Sequence, residues 1–383
     1  MRPDDTCSPR DGEADTAAPL GGRSLVVYLG DGHEGWPEGS PVHALFAGRI
    51  GLAAMATGGN LPYRRLCREF GADLTCSEMV LADKLVAGSR AELPLLRRHA
   101  SEAIFGVQLC GKHPDSMAAA AARAAELGAR FVDLNFGCPI DLVVRRGAGA
   151  ALLERPAKLG AIVAATRARV AIPISVKLRS GYQAQKPNAL DTARAAVDAG
   201  ADALVVHGRT REQRYRRAAD WALIARVAAS VDVPVIGNGD ILTPWDLQTR
   251  LPGTRIASVM VARGALIKPW IFRELKQGRA WHPTLPERWA IMRRYYDFAT
   301  EHFGEDERGQ TRVKRFFLWH CGFWHRYRPY TEEDFRAAAP EPLIQTRAAA
   351  VVGEPDAVLL ASAEASDHEI VWRRVLDRDY PVG

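Results

Sequence analysis

The chain predicts an α/β fold: a (β/α)8 TIM barrel followed by a smaller C-terminal helical domain. Three observations predict it. Eight short apolar runs recur between residues 51 and 264, each ending in polar residues or glycine. Alanine-rich stretches of helical composition with glycine stops separate them, as βα units require. Beyond residue 281, Trp, Tyr, Phe and Arg replace Ala, Val and Gly, and the apolar spacing turns helical.

Residues 1–24 are polar, rich in Asp, Pro and Gly, and lack apolar periodicity, so a disordered tail is expected there. Residues 25–280 are assigned to the barrel. Their first part holds one apolar run, "LVVYL", and turn-rich sequence. The strand candidates follow: "GLAAMA" (51–56), "ADLTCSEM" (72–79), "IFGVQLC" (104–110), "FVDLNFGC" (131–138), "IPISVKLRS" (172–180), "ADALVVHGR" (201–209), "VPVIGNGD" (233–240) and "ASVMVARG" (257–264). Stretches such as "DSMAAAAARAAELGA" (115–129) and "DTARAAVDAGA" (191–201) supply helices between them. Eight strands so spaced favour a closed barrel over an open doubly wound sheet. No GxGxxG follows the first run, which counts against a Rossmann fold. Residues 281–383 form the helical domain, and the part beyond residue 347 is helical by composition without a motif.

The totals limit the class. Of 383 residues 47% are apolar, enough for a substantial core. No apolar run approaches the ~18 residues of a membrane span, and no signal-like segment opens the chain, so a soluble, cytoplasmic monomer is expected. Six cysteines are scattered, with no cysteine–histidine grouping at zinc spacing, so reduced thiols and no metal site are expected. The net charge of +6 is weakly suggestive of a polyanionic partner.

Barrels place chemistry where the strands end. The ends carry Met55, Glu78, Gln108, Asn135 and Cys138, Lys177 and Arg179, His207 and Arg209, Asn238 and Asp240, and Arg263 with Gly264. Each has an ordinary explanation: a strand-end cation, a core histidine, a tight turn. Together they make a mouth rich in donors, with glycine-bearing loops after strands seven and eight, where barrels commonly hold phosphate. A flat phosphorylated cofactor such as FMN fits. Lys177 and Gln108 would meet the polar edge of its ring, Met55 would form an apolar wall, and Asn238, Gly239, Asp240, Ala262 and Arg263 would meet the phosphate. A thiol with pKa near ~8.5 stays protonated at neutral pH unless activated. Cys138 is therefore a usable proton donor to a carbanion left after hydride transfer to a conjugated double bond.

The segments "GNLPYRRLCREFGADLTCSEM", "FGVQLCG", "VDLNFGCPIDLVVRRGAGAALL", "VKLRSG", "VVHGRTREQRY", "GNGDI" and "ARGALIKPWIF" resemble tRNA-dihydrouridine synthases, in that family's order. "CPIDLV", "GRTREQRY" and "ARGALIKPWIF" look most like the eukaryotic-type subfamily that modifies the variable-loop uridine. The resemblance implies an FMN barrel, a helical tRNA-binding domain, NADPH as reductant and Cys138 as proton donor. It implies FMN contacts at Ala54, Met55, Ala56, Gln108, Lys177, His207, Asn238, Gly239, Asp240, Ala262 and Arg263. Where the family usually reads Ala-Pro-Met or Ala-Pro-Leu in the first strand, this chain reads Ala53-Ala54-Met55. The cysteine–histidine zinc modules that often precede the barrel in eukaryotic members are absent from the sequence. Two rival readings remain: an FMN barrel acting on a free pyrimidine or other small molecule, and an inactive RNA-binding relative.

A uracil in folded RNA must leave its stack to meet a flavin, so the mouth needs cations to hold the backbone. Candidate substrate contacts are Asn135 and the loop arginines Arg145, Arg146, Arg209 and Arg211. Residues 309–329 also form a two-sided pattern at about 100° per residue. Val313, Phe316, Phe317, His320, Trp324 and Tyr327 share one side; Arg312, Arg315 and Arg326 share another, with Trp319 and Gly322 set among the arginines. Arg315 and Arg326 are expected to touch RNA phosphates.

Overall fold

The computed structural model describes residues 41–347 and 349–381. The tail expected over 1–24 and the run "LVVYL" lie outside the described residues. Among the described residues nine strands form one parallel sheet: β1 (Ile50–Leu52), β2 (Thr75–Cys76), β3 (Val80–Leu81), β4 (Phe105–Cys110), β5 (Phe131–Asn135), β6 (Ile174–Arg179), β7 (Ala203–His207), β8 (Val235–Asn238) and β9 (Ile256–Val261). Their order is β1-β9-β8-β7-β6-β5-β4-β2, with β3 also on β4. A parallel bridge between Gly51 and Leu74 brings the first and last members together. The Leu52 N–H donates to Leu74 O at 2.9 Å. The sheet is thus a nearly closed barrel of eight strand positions, as expected.

Of the strand expected over 72–79 only Thr75–Cys76 forms, as β2, and β3 follows beyond its expected end. Ser77 interrupts the expected strand: its N–H donates to Gly106 O at 2.9 Å, while its hydroxyl accepts from Gln108 N at 3.0 Å. β4 ends with its run at Cys110, and the other strands end earlier than theirs, because the last polar residues of those runs leave the ladder. Inside the barrel, Phe131, Ala203, Val205, Ile236 and Met260 form one buried cluster with Phe46. Phe46 and Phe131 meet edge to face at 5.1 Å, so the short helix Pro41–Phe46 adds to this inner cluster.

Helices of seven residues or more are α1 (Leu61–Glu69), α2 (Pro114–Glu126), α3 (Pro156–Arg169), α4 (Ala189–Asp198), α5 (Trp221–Ala229), α6 (Pro244–Arg250), α7 (Ile271–Gln277), α8 (Leu285–Phe303), α9 (Glu307–Trp324), α10 (Glu332–Ala338) and α11 (Ala365–Asp377). The alanine-rich stretches become α2 and α4, whose small buried faces let neighbouring helices pack closely. A capping box of Thr284 and Glu287 starts α8, and Asp306 caps α9 through Gly309 N at 2.7 Å. These helices pack on the barrel: α8 against α1, and α9 against the short helix Arg263–Ile267 and against α11. His320 of α9 stacks on Tyr63 of α1 at 4.0 Å and meets Tyr295 of α8 edge to face at 4.7 Å. Among the described residues no helix is long and apolar enough to cross a membrane.

Candidate active site

At the C-terminal ends of the strands lies a cavity of about 500 Å³. Ala54, Met55, Ala56, Gln108, Asn135, Cys138, Lys177, His207, Asn238, Gly239, Asp240, Ala262 and Arg263 all line it. Register explains the convergence. Gln108 of β4 lies beside Asp133 of β5, Asp133 beside Ser175 of β6, and Asn135 beside Lys177. Residues two apart on a strand share a face, so Asp133 and Asn135 form successive interior layers.

The floor is a polar network. Asp133 accepts from Gln108 Nε2 at 2.6 Å and from Ser175 Oγ at 2.7 Å. Gln108 Oε1 accepts from Asn135 Nδ2 at 2.7 Å. Asn135 Oδ1 accepts the N–H groups of Gly137 at 3.0 Å and Cys138 at 2.8 Å. Lys177 donates to Asn238 Oδ1 at 3.0 Å, and Asn238 donates to Met260 O at 2.7 Å. Burial lowers Lys177 to about 8, against the attraction of the Asp133 carboxylate. Burial and the cations Arg179, Lys177, Arg209 and Arg263 hold His207 well below its ordinary value, so it is a neutral imidazole.

Cys138 ends the turn after β5, 9% exposed and against the cavity. Burial pushes this thiol up, so it is protonated at neutral pH. One of the glycines after it has a packing reason. Gly149 has φ +57°, and a Cβ there would sit 2.9 Å from Cys138 O and 3.1 Å from Cys138 Cβ. Cys110 packs beside Cys138, and burial raises it to about 12.

On the opposite wall Gly239 (φ +127°) and Asp240 (φ +53°) form a tight turn after β8. Gly264 allows the close approach of the next loop: a Cβ there would lie 2.0 Å from Ile241 O. The turn after Ala54 is held without a proline. Gly59 N donates to Met55 O at 2.8 Å, and Thr57 N to the Glu78 carboxylate at 2.6 Å.

The arginines divide. Arg209 is fully buried and donates to both carboxylate oxygens of Asp240, at 2.6 and 2.5 Å. Its place among the substrate contacts is corrected: it is an internal strut behind the cavity wall. Arg326 lies beyond the end of α9, half-buried, and donates to Ile344 O at 3.0 Å, so it leaves the exposed basic face. Arg145, Arg146, Arg312 and Arg315 are exposed outside the cavity. Arg211 and Arg214 both pair with Asp141, at 2.5 and 2.8 Å, joining the loops after β5 and β7.

Arg179 stands at a strand end in the sequence without an assigned role, and the contacts of several other lining residues with the mouth are not marked there. Arg179 lies two positions after Lys177 on the inward face, and that alternation was the available signal. Its Nε donates to Gly137 O at 2.7 Å, and burial lowers it to about 10. Tyr215 stands under the guanidinium groups of Arg263 (4.6 Å) and Arg179 (5.7 Å). Trp319 and Phe323 of α9 and Ile344 complete the rim, with Trp319 seated over Gly58. No local signal in the sequence pointed to these last contacts.

Eight strand positions, nearly closed in parallel, with a donor-lined cavity at their C-terminal ends, define a (β/α)8 barrel. The chain belongs to the dihydrouridine synthase (Dus) family, whose model matches residues 51–350. It is 44% identical over 289 residues to the "tRNA-dihydrouridine(47) synthase [NAD(P)(+)]-like" protein of Mus musculus, covering 74% of this chain and 45% of that one. The protein of that name from Oryza sativa subsp. japonica is 42% identical over 292 residues, 74% of this chain and 42% of that one. The "tRNA-dihydrouridine(47) synthase [NAD(P)(+)]" of Coprinopsis cinerea is 40% identical over 336 residues, 84% of this chain and 49% of that one. The chain thus spans less than half the length of these curated relatives.

Proposed function

We propose that this chain is an FMN-dependent tRNA-dihydrouridine synthase that uses NADPH to reduce the C5=C6 bond of a uridine, at position 47 as in its relatives' names. The observation that carries the reading is the Cys138 thiol at the wall of a cavity floored by Lys177 and Gln108.

The residues fit FMN. Lys177 Nζ has three N–H bonds and donates one to Asn238, leaving donors for the acceptor edge of a flavin ring. Gln108 has a second amide hydrogen beyond the one given to Asp133. The turn at Gly239, the loop from Ala262 and the Arg263 guanidinium, beside Asp240 at 3.1 Å, would hold the phosphate. Reduced flavin, when bound, supplies the hydride.

Uracil is a conjugated acceptor, so hydride addition at C6 leaves negative charge at C5, next to the C4 carbonyl. Cys138 Sγ–H gives its proton to C5, completing dihydrouridine, and the thiolate regains a proton from solvent. Asn135 and Arg179 keep the Cys138 turn in place through the Gly137 and Cys138 backbone. RNA is favoured over a free pyrimidine because exposed Arg145, Arg146, Arg312 and Arg315 offer phosphate contacts. The helices from residue 281 onward would extend that RNA platform.

Cys138→Ala tests the reading. It should retain FMN and be reduced by NADPH at the wild-type rate. Its reoxidation by unmodified tRNA, followed by stopped-flow absorbance, should slow by ~10²-fold or more. Normal reoxidation would make Cys138 a packing residue.

A further inference from the structure

The network beneath the cavity ends on a group to which nothing above gives a role. Asp133 is 1% exposed, lies one layer below the cavity and does not line it. Its chemistry still reaches the top of the site. A carboxylate only accepts, so Gln108 must turn its NH2 group toward Asp133 and its carbonyl toward Asn135. Asn135 must then offer its NH2 to Gln108 and its carbonyl oxygen to the turn. That oxygen takes the N–H groups of Gly137 and Cys138 at 3.0 and 2.8 Å. Backbone N–H groups only donate, so the chain of amides is locked in one direction from both ends. Gln108, Asp133 and Asn135 are each at least nine-tenths buried, so water competes little for these bonds. Ser175 Oγ occupies the second carboxylate oxygen at 2.7 Å and holds Asp133 against rotation.

We propose that Asp133 is a positioning residue: through Gln108 and Asn135 its carboxylate sets the placement of Cys138. It touches neither substrate nor cofactor. Its reading by flavin reoxidation rests on the function proposed above, so a second readout independent of that function accompanies it.

The test uses the FMN-loaded protein with Asp133→Ala, Asp133→Asn, Asn135→Ala and the Asp133→Ala/Asn135→Ala double variant. Asn keeps an acceptor for Gln108 and turns its NH2 to Ser175, whose hydroxyl also accepts. The first readout splits the half-reactions. Asp133→Ala should slow reoxidation by tRNA by ~10-fold or more while NADPH reduction stays within ~3-fold, because a displaced proton donor affects one step alone. Asp133→Asn should restore reoxidation to within ~3-fold of wild type, because the hydrogen-bond relay is retained. The second readout is the alkylation rate of Cys138 by iodoacetamide, measured by peptide mass spectrometry against the other cysteines. Asp133→Ala should change that rate several-fold, and the double variant should match Asn135→Ala alone, since one residue acts through the other.

Additive effects in the double variant would overturn the relay. Equal losses in both half-reactions with unchanged alkylation would reduce Asp133 to a folding role. Should Asp133→Ala not fold, Asp133→Asn still decides: a large loss there shows that charge rather than the relay matters and overturns the proposal. If tRNA fails to reoxidise even the wild-type protein, the proposed function falls while the alkylation comparison still decides the relay.

Discussion

Replacing Lys177 with methionine should change the pH dependence of stability in a calculable way. The ammonium group sits inside the barrel mouth, and burial lowers its pKa from 10.5 to about 8. Between those values the unfolded chain keeps the proton and the folded chain does not. Wild-type stability therefore rises with pH through that window, relative to a variant with no group there. From pH 7 to pH 9.5 the expected gain is about 2 kcal/mol, an upper figure because water in an open cavity screens part of the penalty. The assay is urea denaturation of both flavin-free proteins at pH 7, 8.5 and 9.5. The wild-type curve should climb toward, or further above, that of Lys177→Met as pH rises. Parallel curves would show that Lys177 titrates as an ordinary solvated lysine and would remove it from the floor of the site. The same variant should lose FMN. One charge-assisted hydrogen bond is worth about 1.5–3 kcal/mol, so the dissociation constant should rise roughly 10- to 100-fold. Unchanged FMN affinity would sink the role assigned to this lysine.

Three further outcomes follow from particular contacts. Gly264→Ala would place a Cβ 2.0 Å from Ile241 O, so the phosphate-side loop must move; FMN retention and the thermal midpoint should both fall, by about 1–3 kcal/mol in stability. Asp141→Asn removes the carboxylate that Arg211 and Arg214 share. It should tighten tRNA binding and steepen the log affinity versus log salt slope by about one unit, with NADPH reduction unchanged; an unaltered slope would place both arginines off the RNA path. Arg312→Glu with Arg315→Glu should weaken tRNA binding and flatten that slope by about one to two units, read from affinities over a salt series. Arg326→Glu should instead lower stability, measured by thermal melting, because its guanidinium supports the Ile344 carbonyl.

The buried arginines show where linear reading stops. Arg209 and Arg211 stand two positions apart in one basic loop and look equivalent in the sequence. Folding places Arg209 against Asp240, 31 residues on, and Arg211 against Asp141, 70 residues back. The first loses all solvent contact and the second keeps some of it. Arg326 looked continuous with Arg315 because a helical projection assumes the helix continues, whereas α9 ends at Trp324.

From residue 51 onward, strand order and the inward-facing residues were legible because both rest on local chemistry. A short run of apolar, β-branched and small residues specifies a strand, and glycine or a polar cluster specifies its end. Barrel closure then follows from the count, and with it the meeting of Gln108, Asn135, Cys138, Lys177 and Asn238 at one mouth. Tertiary structure alone decided which charges are spent inside and which face solvent. It also decided that Trp319 and Phe323, from a helix far along the chain, close the rim, and that Asp133 lies one layer beneath the cavity, bonded to Gln108. These depend on distances between residues tens to hundreds of positions apart, which no local pattern encodes. A side chain's partner is set by packing geometry, and its ionisation and reach by the burial that packing creates.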